Sequence, residues 1–150
     1  TMPKKTIILI IGLIMSLNVS AQSGQNIARL FDVRYHKNKD ATEVLMKGRQ
    51  LKAYNLSLFR SLTLGPQSGN AASIEPLVKA DGRNAIDKEM SIQGGRLAMA
   101  FYQLPSRGKT HRYIFYSNSG AGRGTAASKI TLIYMEGTAT LSELKRTFKK

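Results

Sequence analysis

Three segments decide the fold that this sequence predicts: RLAMAFYQL (96–104), RYIFYS (112–117) and KITLIYME (129–136). Their β-branched and aromatic residues are typical of β-strands. Pro105 ends the first segment, and the connection PSRGKTH (105–111) suits a hairpin loop. The second segment is apolar on both of its alternating sides, so we expect it to be a central strand of the core.

Two further strands are predicted closer to the N-terminus. The segment 42–47 alternates in side-chain direction, and 51–64 repeats leucine with a period of two; both patterns are typical of strands. A helix remains the alternative for 51–64, because helical spacing also fits Tyr54, Leu58, Phe59 and Leu62.

Helices are predicted in three places. Residues 25–36 carry apolar side chains at helical spacing, and 71–93 suit one broken helix or two, with Pro76 in a first helical turn. The third helix begins after Thr140. Thr140 and Glu143 have the spacing of a capping box, in which each side chain bonds the backbone N–H of the other residue.

These elements predict an α+β fold with the order α-β-β-α-β-β-β-α. Because short connections join the strands, we expect a mainly antiparallel sheet of about five strands, with helices packed on one face. The chain shows no internal repeat and no long linker, so residues 22–150 are expected to form a single α+β domain.

The N-terminal segment 1–21 has the pattern of a cleavable signal peptide. Lys4 and Lys5 form a positive n-region, residues 7–17 form a short apolar h-region, and Val-Ser-Ala at 19–21 is a small-residue cleavage site. We therefore expect an exported protein that is periplasmic or extracellular. The chain has no cysteine, which excludes a disulfide framework, a thiolate metal site and a lipid anchor through cysteine.

The chain is strongly basic, with 23 Lys and Arg against nine Asp and Glu. Removal of Lys4 and Lys5 with the leader leaves 21 against nine, a net charge of +12. Such a charge attracts polyanions. For an exported protein the expected partners are an anionic envelope lipid or glycan, or another envelope protein, rather than cytosolic nucleic acid.

Three segments carry a resemblance to a known family: GRQLKAYNLSLFRSL (48–62), IEPLVKADGRNAIDKE (74–89) and ITLIYMEGTATLSELK (130–145). They resemble blocks of a family of small exported Bacteroidota proteins that is catalogued as a domain of unknown function. The resemblance implies a periplasmic or surface location and no assigned activity.

No catalytic or metal-binding motif stands out in the sequence. His36 and His111 lack a second ligand at i+3 or i+4, so no metal site is predicted. A serine triad with His111 would draw on Ser117, Ser119 or Ser128, but the GxSxG nucleophile elbow is missing. The chain is therefore not expected to be an enzyme or to hold a cofactor.

The glycine-rich stretch 120–125 is followed by a strand instead of the helix that a nucleotide-binding loop requires. We expect it to be a flexible connection whose arginine can bind an anionic group. The candidate ligand-binding residues are Arg123, Lys109, Arg112, Lys145 and Arg146.

The function predicted from these features is a non-enzymatic basic envelope protein that binds an anionic lipid, glycan or phosphate group. The alternative is a structural or protein-docking module of the envelope, and a hydrolase is third. The sequence does not predict the oligomeric state.

Overall fold

The computed structural model describes residues 26–31, 34–68, 70–123 and 128–148. The predicted signal peptide therefore lies outside the described residues and stays a prediction. Within those residues the chain forms an α+β fold with one six-stranded antiparallel sheet. The strands are β1 (Ala41–Lys47), β2 (Leu56–Leu64), β3 (Asp87–Gln93), β4 (Arg96–Arg107), β5 (Thr110–Asn118) and β6 (Ile130–Gly137).

Two α-helices and two 3₁₀ helices accompany the sheet in the described part of the chain. The α-helices are α1 (Ala71–Gly82) and α2 (Leu141–Phe148), and the 3₁₀ helices are η1 (Asn26–Leu30) and η2 (Gly48–Tyr54). Among the described residues, we find no helix with the length and hydropathy of a membrane span.

The strand order across the sheet is β1-β2-β6-β5-β4-β3. Strands β3 to β6 form a meander, and β6 then pairs with β2, so that Leu62 lies opposite Leu132. Helix α1 connects β2 to β3 at the far edge. This confirms that β5, which contains RYIFYS, is a central strand: it lies between β4 and β6.

The prediction of a helix through residue 93 was wrong. Helix α1 ends at Gly82, and Asp87–Gln93 forms strand β3. The sheet therefore has six strands where about five were predicted. Gly94 and Gly95 form the two-residue turn of the β3–β4 hairpin, with φ of +57° and +76°. Positive φ at both residues is the requirement of a type I′ turn. The sequence DKEMSIQ has little apolar alternation because β3 is an edge strand and most of its side chains are exposed. The usual sequence pattern of a strand is therefore missing.

The strand and the helix that were predicted as alternatives for 51–64 each occur in one part of that segment. Residues up to Tyr54 belong to η2, and Leu56 begins β2. Asn55 separates them in the left-handed conformation, with φ of +58°. The helix predicted over 25–36 was too long, because among the described residues of this segment only Asn26–Leu30 is helical, and it is a 3₁₀ helix. Its N-terminal N–H groups donate to the buried carboxylate of Asp81, so a tertiary contact holds this short helix.

The expectation of helices on one face was also wrong, because both faces are covered. Helices η1 and α1 pack on one face, and η2 and α2 pack on the other. The first core includes Ile27, Leu30, Ile74, Val78, Leu62, Tyr102, Ile114, Tyr116 and Leu132. The second includes Leu51, Leu56, Phe101, Tyr113, Met135 and Leu144. Alternation along β5 explains the arrangement, since Ile114 and Tyr116 enter one core while Tyr113 enters the other.

The capping box of α2 is confirmed. The backbone N–H of Thr140 donates to Glu143 Oε1 at 2.8 Å, and the backbone N–H of Glu143 donates to Thr140 Oγ1 at 3.2 Å. Leu144 is buried and Leu141 is half-buried, and both pack on the second core.

Candidate functional site

The five predicted ligand-binding residues do not form a single site. Lys109 lies in the β4–β5 turn and Arg112 lies near the start of β5, while Arg123 follows the end of β5. A strand of nine residues is about 30 Å long. Lys145 and Arg146 lie on α2, and the Lys145 Nζ donates to Glu89. Lys109 and Arg112 alone share one end of the sheet.

Arg112 is already engaged within the fold. Its Nε donates to the Pro105 carbonyl at 3.0 Å, and it lies directly opposite Glu136 of β6. Glu136 also accepts a hydrogen bond from Tyr134. Burial, and next this hydrogen bond, raise the pKa of Tyr134 above its usual value. Arg112 therefore belongs to a small polar network between neighbouring strands.

Beside this end of the sheet lies a cleft of about 530 Å³, which we term the basic cleft. It is lined by Gly48, Arg49, Lys52, Asn55, Leu56, Ser57, Thr110, Gly137 and Thr138. Its two charged residues are both cations, and none of these described lining residues is acidic. Thr110 follows Lys109 directly, so one predicted residue neighbours the cleft.

The geometry of η2 places the two cations side by side. A 3₁₀ helix has three residues per turn, so residues three apart lie above one another, about 6 Å apart along the axis. Arg49 and Lys52 have this spacing, and both are exposed. Leu51 is buried in the second core and holds the helix against the sheet. One side of η2 is therefore fixed by packing, and the cationic side faces the cleft.

The floor of the cleft is built from closely packed backbone. A Cβ atom on Gly137 would lie only 2.3 Å from the carbonyl oxygen of Asn55, so only glycine fits there. The Ala139 N–H donates to the same carbonyl at 3.0 Å, and Ser57 Oγ donates to the Glu136 carbonyl at 3.2 Å. These contacts join the η2–β2 corner to the end of β6.

The positive charge of the cleft is not offset by local ion pairs. Seven carboxylates accept hydrogen bonds or form ion pairs elsewhere in the fold: Asp40, Glu43, Glu75, Asp81, Glu89, Glu136 and Glu143. Within the described ranges, neither Arg49 nor Lys52 forms an ion pair. An anion entering the cleft would therefore meet two cations that it does not have to detach from a carboxylate.

A larger cleft, of about 890 Å³, lies at the other end of the sheet. Its lining includes the first residues of α1, the β3–β4 turn and Gly122 of the glycine-rich connection. Arg96 is the one cation among its described lining residues, and it already lies 3.7 Å from the buried Glu75. Residues 124–127 of the connection lie outside the described residues, so the predicted flexibility of that loop stays a prediction. The larger cleft is thus the weaker anion site.

His111 lies apart from Ser117, one of the serines considered with it. His111 is near the start of β5, where its Nδ1 lies 2.9 Å from Ser106 Oγ. Ser117 is six residues further along the strand, about 20 Å away. Across the described parts of the chain, no group of three or more His, Cys, Asp or Glu could hold a metal ion.

Arg49 and Lys52 were missed by the sequence reasoning. The string GRQLK does contain the signal, because two basic residues three apart flank a buried leucine. Its significance depends on η2 being a 3₁₀ helix, and the alternation of leucines led instead to a strand over the following residues.

Together these features define a class: a small basic α+β protein with one antiparallel sheet, helices on both faces and a cationic cleft at one end. The chain belongs to a family of unknown function (DUF6108), whose family model matches residues 14–148. This confirms the resemblance to a family of unknown function; the Bacteroidota origin stays a prediction. No curated protein and no solved structure shows detectable similarity to the chain.

Proposed function

We propose that this chain is an exported, non-enzymatic protein that binds an anionic group through the basic cleft. The observation that carries the proposal is the pairing of Arg49 with Lys52 on one side of η2, at a cleft of about 530 Å³ with no acidic residue among its described lining residues. Phosphate, sulfate and carboxylate groups are the ligands that such paired cations bind.

The cell envelope supplies this chemistry in anionic lipids and acidic glycans. The proposed location rests on the signal-peptide pattern of residues 1–21. The net charge of +12 that remains after removal of the leader would speed the encounter with a negatively charged surface. The cleft would then give one position at which the anionic group is held.

The test compares two double variants of the purified protein that remove the same charge. Arg49→Gln with Lys52→Gln neutralises the cleft, and Lys79→Gln with Arg83→Gln neutralises two exposed cations around the end of α1. Binding is measured by vesicle co-sedimentation with anionic phospholipid and, separately, by titration with a sulfated glycan. Each arm is run at low and at high salt.

We expect the cleft variant to lose about tenfold or more in affinity at low salt, since each Lys or Arg near an anionic surface contributes roughly 1 kcal/mol. The control variant should lose much less. The two arms distinguish a lipid headgroup from a glycan as the source of the anion. Equal losses in both variants, or no binding of either probe at low salt, would contradict the proposal.

A further inference from the structure

Strand β3 presents an open edge of the sheet. It pairs with β4 on one side, and no other described strand lies on its outer side. Six of its seven residues are exposed. An unpaired edge offers a row of backbone N–H and C=O groups that can pair with another strand.

Apolar side chains accompany this open backbone. Met90 is 43% exposed and Ile92 is 56% exposed. A register shift separates Ser91 from Ile92, but Met90 and Ile92 lie opposite Ala100 and Leu97, which both belong to the first core, so they face the same side of the sheet. Ile86, directly before the strand, is also exposed. Natural sheet edges are normally protected by charges, proline or a covering element. The segment from Met90 to Gln93 has no charged residue.

The opposite edge of the sheet carries a more buried charge, because the side chain of Glu43 on β1 is 19% exposed whereas that of Glu89 on β3 is 51% exposed. Glu43 of β1 forms an ion pair with Arg60 of β2, at 3.5 Å. A charge that points inward from an edge strand is one of the features that discourage pairing. Val44 and Leu45 of β1 are exposed but are consecutive, so they point to opposite sides.

We infer that β3 pairs antiparallel with β3 of a second copy of this chain, joining two six-stranded sheets into one. A twofold axis perpendicular to the sheet keeps each face continuous. Residues that lie opposite each other must then both be even-numbered or both odd-numbered, because a one-residue slip exchanges the two faces.

The charges of β3 select the register. With Met90 opposite Met90, Lys88 lies opposite Ile92, Glu89 opposite Ser91 and Asp87 opposite Gln93. All seven residues then pair and no like charges meet. Centring the pair on Glu89 places two carboxylates opposite each other, and centring it on Lys88 opposes two lysines. Like charges directly opposite are destabilising. The register in which all seven residues pair therefore places no like charges opposite each other. This favours a second copy of the chain as the partner.

The absence of cysteine from the chain makes the register directly measurable. Cα atoms of directly opposite residues lie about 4.5–5.5 Å apart, within the range that a disulfide bridges. Under mild oxidation Met90→Cys should form a covalent dimer at least about tenfold faster than Val44→Cys, a matched control at a similarly exposed site (38%) on β1. Ser91→Cys should lag as well, since its two copies are offset along the strands.

A second pair of variants tests the same register without cross-linking. Ile92 would lie opposite Lys88, so Ile92→Lys opposes two positive charges and Ile92→Glu creates an attractive pair, twice in each dimer. Both variants remove the same exposed apolar side chain, so effects on folding or solubility are matched. Sedimentation equilibrium should give a dimer Kd about tenfold weaker for Ile92→Lys than for Ile92→Glu.

The inference is overturned if the unaltered protein remains monomeric in concentrated solution, or if Met90→Cys and Val44→Cys cross-link equally. Equal dimer Kd values for the two Ile92 variants, or faster cross-linking of Ser91→Cys than of Met90→Cys, would also overturn it. The dimer does not depend on the proposed function of the basic cleft, which involves other strands.

Discussion

At the scale of single residues, the central tyrosines show how the core handles polar groups. Tyr113 is fully buried and its hydroxyl donates to the Ala139 carbonyl at 2.7 Å. Tyr102 is equally buried, but its hydroxyl has no hydrogen-bond partner among the described residues. The Tyr102 ring packs against Gly82, where a Cβ atom would lie 2.5 Å from the ring. Packing, rather than hydrogen bonding, therefore fixes Tyr102.

This difference predicts opposite effects for two conservative variants. Tyr102→Phe should leave the free energy of unfolding at pH 7 unchanged or raise it, because it removes a buried hydroxyl that makes no hydrogen bond. Tyr113→Phe should lower it by about 1–2 kcal/mol, because the Ala139 carbonyl loses its donor. Urea denaturation measures both values. A loss for Tyr102→Phe as large as that for Tyr113→Phe would contradict the assignment.

Tyr102 should also contribute to the pH dependence of the free energy of unfolding in alkaline solution. Burial, and next the charge of Asp81, raise the pKa of Tyr102 above its ordinary value of 10.0. Above pH 10 the unfolded chain loses this proton more readily than the folded one, so the free energy of unfolding falls as pH rises. Urea denaturation between pH 9 and 11 should show a shallower fall in Tyr102→Phe than in the unaltered protein. Parallel curves would exclude this contribution.

At the scale of elements, each short helix depends on contacts at its ends. The first turn of α2 is closed by the reciprocal bonds of Thr140 and Glu143. Glu143→Ala should lower the free energy of unfolding by about 1 kcal/mol, since it removes the cap and the favourable charge at the helix N-terminus.

The matched variant Glu143→Gln keeps a side-chain acceptor for the Thr140 N–H and loses the charge alone. We expect its loss in thermal or urea denaturation to be the smaller one, because glutamine also completes a capping box. If glutamine costs as much as alanine, the contribution of Glu143 is electrostatic and the capping bond adds little.

At the scale of the whole molecule, stability should be distributed according to position in the sheet. Strands β5 and β6 lie between other strands and beneath packed helices, whereas β3 pairs on one side and is exposed. Amide hydrogen exchange of the dilute protein should therefore be slowest in β5 and β6 and fastest among the strands in β3. Protection of β3 equal to that of β5 in dilute protein would contradict this distribution.

The sequence predicted an element correctly where the pattern that marks it lies within the element itself. The strands β1, β4, β5 and β6 and helix α2 were found because apolar alternation, β-branched residues or a capping box mark them locally. Strand β3 was missed because an exposed edge strand has little apolar pattern, and η1 was drawn too long because its length depends on Asp81, far away in sequence. The candidate cations were distributed over both ends and both faces, whereas Arg49 and Lys52 meet through the pitch of a 3₁₀ helix.

The sequence alone was sufficient for the α+β class, the mainly antiparallel pairing of the strands, the central position of β5, the membership of a family of unknown function and the excess of positive charge. These follow from local periodicity, short connections and composition. Only the three-dimensional structure reveals the pairing of β2 with β6, the helices on both faces, the basic cleft and the open edge at β3. Each of these depends on contacts between segments far apart in the chain, and no local pattern of side chains specifies which distant segments meet.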